Sequence, residues 1–144
     1  MRGLPGSGKS TYVADTFSEN TLVASADHFF EVDGEYRYEG HRIGEAHQHC
    51  LRTFIKAVDS DVEHIVVDNT NMESWEYSNY VLIAKLSGYK VRIVCMSAGL
   101  TDNTPLITLY ERGTHGVPLD KLKQMKERFE PDAAETYVWR PYGP

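Results

Sequence analysis

Residues 3–10 read Gly3-Leu4-Pro5-Gly6-Ser7-Gly8-Lys9-Ser10 and fill every fixed position of the pattern G-x-x-x-x-G-K-[ST], with Thr11 following. The chemistry this spacing serves is phosphate binding. Gly3, Gly6 and Gly8 permit backbone angles closed to residues with a Cβ, so successive N–H groups can turn inward around the phosphates of a nucleotide. Pro5, Ser7 and Thr11 complete the cradle, Lys9 carries a full positive charge to the outer phosphates, and the Ser10 hydroxyl at a helix start is placed to ligate Mg²⁺. A Gly/Ser-rich turn with a chance lysine is the alternative. The complete match and the helix-like stretch 10–17 argue against it.

Other residues with chemistry lie at the ends of apolar segments. Residues 21–25 read as a short buried strand that delivers Ala26, Asp27 and His28 at its carboxyl end, where ligands gather in open α/β sheets. Asp27 is placed either as a catalytic carboxylate or as a cap or turn residue. His64-Ile65-Val66-Val67-Asp68 is a second such strand, and an acid at its end beside a phosphate loop is the usual second Mg²⁺ anchor, acting through water. Asn69, Thr70 and Asn71 follow as helix-capping residues. Between the strands, residues 29–40 alternate aromatic and charged side chains, Tyr36 among them, around Asp33-Gly34, which predicts a hairpin or flap. Its aromatics can stack a base or pack on the neighbouring helix. Downstream, Glu111-Arg112-Gly113-Thr114-His115-Gly116-Val117-Pro118 leads into a helix with Leu119, Leu122, Met125 and Phe129 on one stripe. A glycine hinge with a central arginine suits a lid that closes over phosphates.

The remaining elements must hold these groups in place. Apolar Ile43, Ala46, Cys50, Phe54 and Val58 recur at the helical period over 42–58, with His47 read as a structural residue on the buried side. His47 and His49 do not share a face, so they make no metal pair. A helix is expected from about 72 to 86, carrying Trp75, Asn79, Leu82 and Leu86 at helical spacing, then a strand at 91–96 and a short helix opened by Pro105. Tyr137-Val138-Trp139 offers a late strand, and Lys121, Lys123, Lys126 and Arg128 a solvated face. Only Met1 and Arg2 precede the loop, so the strand that ordinarily leads into it is expected to be missing from the chain.

At 144 residues, 41% hydrophobic and 25% charged, the chain suits one globular domain with one sizeable core. It shows no span-length apolar run and no signal peptide, which points to a cytoplasmic protein without a membrane partner. Cys50 and Cys95 fit no metal spacing and read as reduced core residues. A net charge of −6 argues against wrapping a long nucleic acid and leaves room for a pocket that holds one strand end.

Together these residues resemble the P-loop kinases of the polynucleotide 5′-hydroxyl-kinase type and, more closely, their AAA-domain relatives, over residues 3–130. The loop, Ser25-Ala26-Asp27 with its trailing aromatics, and the run from Arg112 to Asp120 carry the resemblance; Asp68-Asn69-Thr70-Asn71 resembles the Asp-Thr-Asn stretch of the phage enzyme with a shifted acid. The resemblance implies a three-layer α/β/α domain over residues 1–144 with a parallel sheet and a lid at about 105–130. It implies transfer of the γ-phosphate of ATP, with Mg²⁺, to a hydroxyl. Asp27 falls at the family's general base, Arg112 at its lid arginine, and Lys9, Ser10 and Asp68 at the phosphate and metal positions. His28, Tyr36, Asn69, Asn71 and His115 are candidate substrate contacts. His28 stands where the phage kinase has a second acid, and Thr108 where it has an earlier lid arginine, so acceptor contacts can differ. The leading acceptor is a 5′-hydroxyl nucleic acid end. The alternatives are a sugar, nucleoside or sugar nucleotide, as for the zeta-toxin-like kinases, and a nucleotide-binding switch without turnover. The sequence does not specify the oligomeric state.

Overall fold

In the computed structural model, which describes residues 1–139, helix α1 (Lys9–Thr16) leaves the phosphate loop directly, with Gly8 before it in the left-handed region at φ 92°. Strand β1 (Leu22–Ala24) runs into a 3-10 helix, Ala26–Phe30, whose first turn is capped by Ser25. Next come strands β2 (Glu31–Val32) and β3 (Glu35–Tyr36), an antiparallel hairpin. Its two turn residues, Asp33 at φ 52° and Gly34 at φ 80°, both take the left-handed conformation that a two-residue hairpin of this twist requires. Helix α2 (Ile43–Asp59), strand β4 (Ile65–Val67), a 3-10 turn Ser74–Glu76, helix α3 (Ser78–Leu86) and strand β5 (Ile93–Met96) follow. Helices α4 (Leu106–Arg112) and α5 (Leu119–Arg128) pack on each other before strand β6 (Glu135–Val138).

Strands β1 and β4 pair in parallel, as do β5 and β6. The two residues ahead of the loop join the two pairs. The Met1 nitrogen donates to the Val67 carbonyl at 2.8 Å, the Arg2 N–H donates to Val94 at 2.8 Å, and the Met96 N–H donates back to the Arg2 carbonyl at 2.9 Å. Arg2 and Cys95 thereby form a parallel bridge. Met1 and Arg2 thus occupy the position between β4 and β5 where a strand leading into the loop is expected.

Arg2 fixes this arrangement. Its guanidinium, 1% exposed, pairs with Glu135 at 2.5 Å and donates to the carbonyls of Asn71, Met72 and Glu130 at 2.7, 2.8 and 2.7 Å. It lies over the rings of Tyr77 and Phe129, 4.7 and 4.8 Å from their centroids. All three nitrogens of the buried guanidinium donate, through four hydrogen bonds in all, which offsets the cost of burying it.

One core cluster, Ala24, Ala26, Phe30, Ala46, Cys50 and Phe54, sits between α2 and the β1–β4 pair; a second, Leu4, Met72, Ala98, Leu109 and Leu122, lies under α4 and α5. Leu119, Met125 and Phe129 pack on the second, as their spacing predicts. Two expectations are corrected. His47 is exposed, because the buried stripe of α2 is Ala46, Cys50, Phe54 and Ala57, and His47 stands about 100° round the helix from Ala46. Trp75, Leu82 and Leu86 also face solvent. Trp75 belongs to the 3-10 turn and not to α3, whose packed side is Tyr80, Ile83 and Ala84. Cys50 and Cys95 are both free and buried. Among the described residues no helix is long and apolar enough to cross a membrane.

Candidate functional site

The phosphate loop is held from below by the sheet and from the side by α4. Its first amide, Gly3 N–H, donates to the Thr70 carbonyl at 3.0 Å. Gly6, at φ 79°, approaches α4 so closely that a Cβ there would stand 2.2 Å from the Leu109 carbonyl oxygen. Only glycine fits both the angle and the approach.

Lys9 turns its Nζ into this loop and donates to the carbonyls of Gly3 at 2.9 Å and Leu4 at 3.2 Å. Burial lowers its pKa, and the charges of Asp68 and Asp27 act in the opposite direction. Ser10 Oγ lies 3.5 Å from Asp68 Oδ2. Ser7 Oγ and Asp68 Oδ1 are buried without a hydrogen-bond partner among the described residues, although buried polar atoms are almost always satisfied. A phosphate in the loop and a cation between Ser10 and Asp68 would meet those two requirements, so the residues present fit a magnesium nucleotide. Ser10 and Asp68 also bound a cavity of about 410 Å³, whose lining includes His28.

Asp27 stands at the carboxyl end of β1 on a frame of short hydrogen bonds. Its N–H donates to Ser25 Oγ at 3.2 Å, and the Ala26 N–H donates to Asn69 Oδ1 at 2.9 Å. The Tyr36 hydroxyl, carried by β3, donates to Asp27 Oδ1 at 3.1 Å. From the segment between α4 and α5, His115 Nδ1 comes to 3.5 Å from Asp27 Oδ2. The His115 and Tyr36 rings stack face to face, 3.8 Å between centroids and 8° between planes. Asp27 remains about half exposed.

A family model described as AAA domain matches residues 1–131. The chain belongs to the AAA domain family. It is 32% identical over 133 residues to human NEDD4-binding protein 2, which is 90% of this chain and 7% of that protein. It is 27% identical over 144 residues to rat 2′,3′-cyclic-nucleotide 3′-phosphodiesterase, 95% of this chain and 32% of that protein. With rat YLP motif-containing protein 1 the identity is 29% over 167 residues, 97% of this chain and 12% of that protein. The chain spans about a third or less of the length of these curated relatives.

This AAA domain is a mixed α/β chain with parallel strands and, among the described residues, five α-helices, and it carries a loop of the P-loop NTPase kind. Its geometry sorts the candidate residues. Lys9, Ser10 and Asp68 converge, and the charge of Asp27 reaches Lys9. Tyr36 and His115 converge on Asp27. Arg112 is the exposed last residue of α4, one turn beyond the Leu109 carbonyl that faces Gly6. Two of the expected substrate contacts are engaged in the framework. Asn69 also donates to Cys50 Sγ at 3.4 Å, and the buried Asn71 donates to the Met1 carbonyl at 2.9 Å. Sequence reasoning missed the role of Ser25, although a serine before a short helical turn is a standard capping signal. Nothing in the local pattern marks Arg2, whose partners lie 69 to 133 residues away.

Proposed function

We propose that this AAA domain is a phosphotransferase that moves the γ-phosphate of ATP to a hydroxyl, most simply the 5′-hydroxyl of a nucleic acid end. The observation that carries the reading is the carboxylate of Asp27. It stands partly open at a strand end, oriented by hydrogen bonds and within electrostatic reach of the phosphate-loop lysine. A module that only binds nucleotide has no use for such a group.

In this mechanism the glycine loop and Lys9 bind the triphosphate, and Ser10 and Asp68 would hold Mg²⁺, which would supply charge neutralisation. The acceptor oxygen bonds to the γ-phosphorus as the bond to the β–γ bridging oxygen breaks, ADP leaves, and the acceptor's proton passes to Asp27. Arg112, on a lid of about residues 105–130, neutralises charge on the transferring group. An arginine in that role is worth about 10³ to 10⁵ in rate. The surrounding architecture in this reading is one three-layer α/β/α domain over 1–144 acting in the cytoplasm. A relative whose name specifies 2′,3′-cyclic nucleotides supports an acceptor of nucleotide character. The net charge of −6 supports the second reading, a small hydroxylated acceptor.

The test is to incubate the chain with γ-labelled ATP, Mg²⁺ and 5′-hydroxyl oligonucleotides beside a panel of sugars, nucleosides and 2′,3′-cyclic nucleotides. Label on the oligonucleotide supports the first reading and label on a small molecule the second. ATP binding without transfer points to a switch module, and opening of the cyclic phosphate without label transfer replaces both with phosphodiester hydrolysis. Asp27→Asn is expected to lower transfer by about 10² to 10⁴ while leaving ATP affinity in place.

A further inference from the structure

A general base needs one carboxylate oxygen turned toward its substrate, and in this structure each oxygen of the half-exposed Asp27 has a polar neighbour that partly covers it. The two covers differ in kind. Tyr36 makes a hydrogen bond at 3.1 Å to Oδ1 from a firm support. Its backbone is registered opposite Glu31 in the hairpin, and its ring packs edge-on against Phe30, which is 3% exposed. His115 approaches Oδ2 only to 3.5 Å, from an exposed segment hinged by Gly113 and by Gly116 at φ 65°. It is kept there by lying flat on the Tyr36 ring.

We propose that Tyr36 is the positioning residue of the base, fixing Oδ1 so that Oδ2 is the atom that takes the acceptor's proton, and that His115 occupies the acceptor's place at Oδ2 until the acceptor arrives. This rests on the phosphotransferase reading above. The chemistry of the two side chains agrees with the division. Burial, reinforced by the adjacent Asp27 charge, raises the Tyr36 pKa well above its ordinary value, so the phenol keeps its proton and remains a donor through the working range. A donor held on one oxygen leaves the other as the better proton acceptor toward a hydroxyl. The histidine stack gives the lid a resting position on the hairpin in place of an open solvent gap. Entry of an acceptor therefore exchanges one aromatic contact on Tyr36 for the acceptor's own contacts, and a ring-bearing acceptor can reuse that face.

The test is a kinetic cycle of Tyr36→Phe, Asp27→Asn and the double variant, with His115→Ala alongside. Tyr36→Phe removes one oxygen and keeps the ring, and circular dichroism with a melting curve checks its fold. The expected result is a fall in kcat of about tenfold with the KM for ATP unchanged. In the Asp27→Asn background the same substitution should cost nothing further, because a residue that acts only through Asp27 has nothing left to position. His115→Ala should lower the KM for the acceptor several-fold. A Tyr36→Phe variant that matches the active wild type in kcat, or that loses as much in the Asp27→Asn background, overturns the assignment alone. A wild type that transfers phosphate to no acceptor removes the phosphotransferase reading and the role of Tyr36 with it. The resting contact has its own readout: the ring protons of His115 in the ligand-free protein should be shifted upfield by the Tyr36 ring, and resonances at ordinary positions would refute the stack.

Discussion

Replacing Arg2 with alanine removes the guanidinium that joins the start of the phosphate loop to the far edge of the sheet. Two losses follow. Glu135, whose side chain is 0% exposed, loses its ion-pair partner, and breaking such a pair from one side costs about 3–5 kcal/mol. The carbonyls of Asn71, Met72 and Glu130 lose their donors, at about 1 kcal/mol each where water does not replace them. Glu135 Oε1 keeps the Tyr137 hydroxyl and the Asp132 N–H, and the vacated volume can admit water, so the sum is not simply additive. The expected cost is about 4–6 kcal/mol. The whole chain, at roughly 0.05–0.15 kcal/mol per residue, has about 7–20 kcal/mol to lose. Urea unfolding followed by tryptophan fluorescence is the assay, with the midpoint falling and the slope unchanged. Arg2→Met combined with Glu135→Leu should recover part of the loss, because an apolar pair leaves no stranded carboxylate. A cost below about 1 kcal/mol for Arg2→Ala, or a double variant no better than the single one, would refute the claim that this buried pair holds the sheet together.

Gly6→Ala puts a Cβ 2.2 Å from the Leu109 carbonyl at a φ of 79°, whereas Gly34→Ala, at φ 80°, meets nothing within 4 Å. The first should weaken ATP binding tenfold or more, measured by calorimetry, and lower stability beyond the roughly 1 kcal/mol of conformational strain that the second shows alone. The Cys95 thiol is pushed up to about 12, first by burial and then by the Glu135 charge. Its folded pKa lies above the ordinary 9.0, so its contribution to stability is complete below pH 9 and is lost as the pH rises toward 12. Denaturant midpoints from pH 8 to 11 should fall, less steeply in Cys95→Ala, and iodoacetamide at pH 8 should label Cys95 only as fast as the protein opens.

The elements were legible because their signals are local. The phosphate loop, the hairpin turn at Asp33-Gly34, and the buried side of α5 each follow from spacing within a few residues. The carboxylates were legible for a related reason: an acid at the end of a short apolar strand is marked by the strand itself. What sequence could not supply was phase and distance. The period of α3 was read from Trp75, which the chain places in a separate turn, and the phase of the packed face was lost with it. The contacts on Asp27 join residues 9 and 88 positions away, and the partners of Arg2 lie 69 to 133 positions away. The glycines around His115 mark it in the sequence, but its stack on Tyr36 exists only once the segment between α4 and α5 is folded.

The electrostatics tie the site into one unit. Lys9 is half-buried, the desolvation of its ammonium lowers its pKa, and the first two influences opposing that shift are the carboxylates of Asp68 and Asp27. Under the proposed mechanism the first holds the cation and the second takes the proton. Lodged on the carbonyls of Gly3 and Leu4, the Lys9 Nζ is poised to exchange those carbonyls for phosphate oxygens. The same arrangement means that neutralising either acid changes the lysine as well as its own task. Losses from substitutions at positions 9, 27 and 68 will therefore not sum, and only a full cycle of single, double and triple variants can divide binding from chemistry among them.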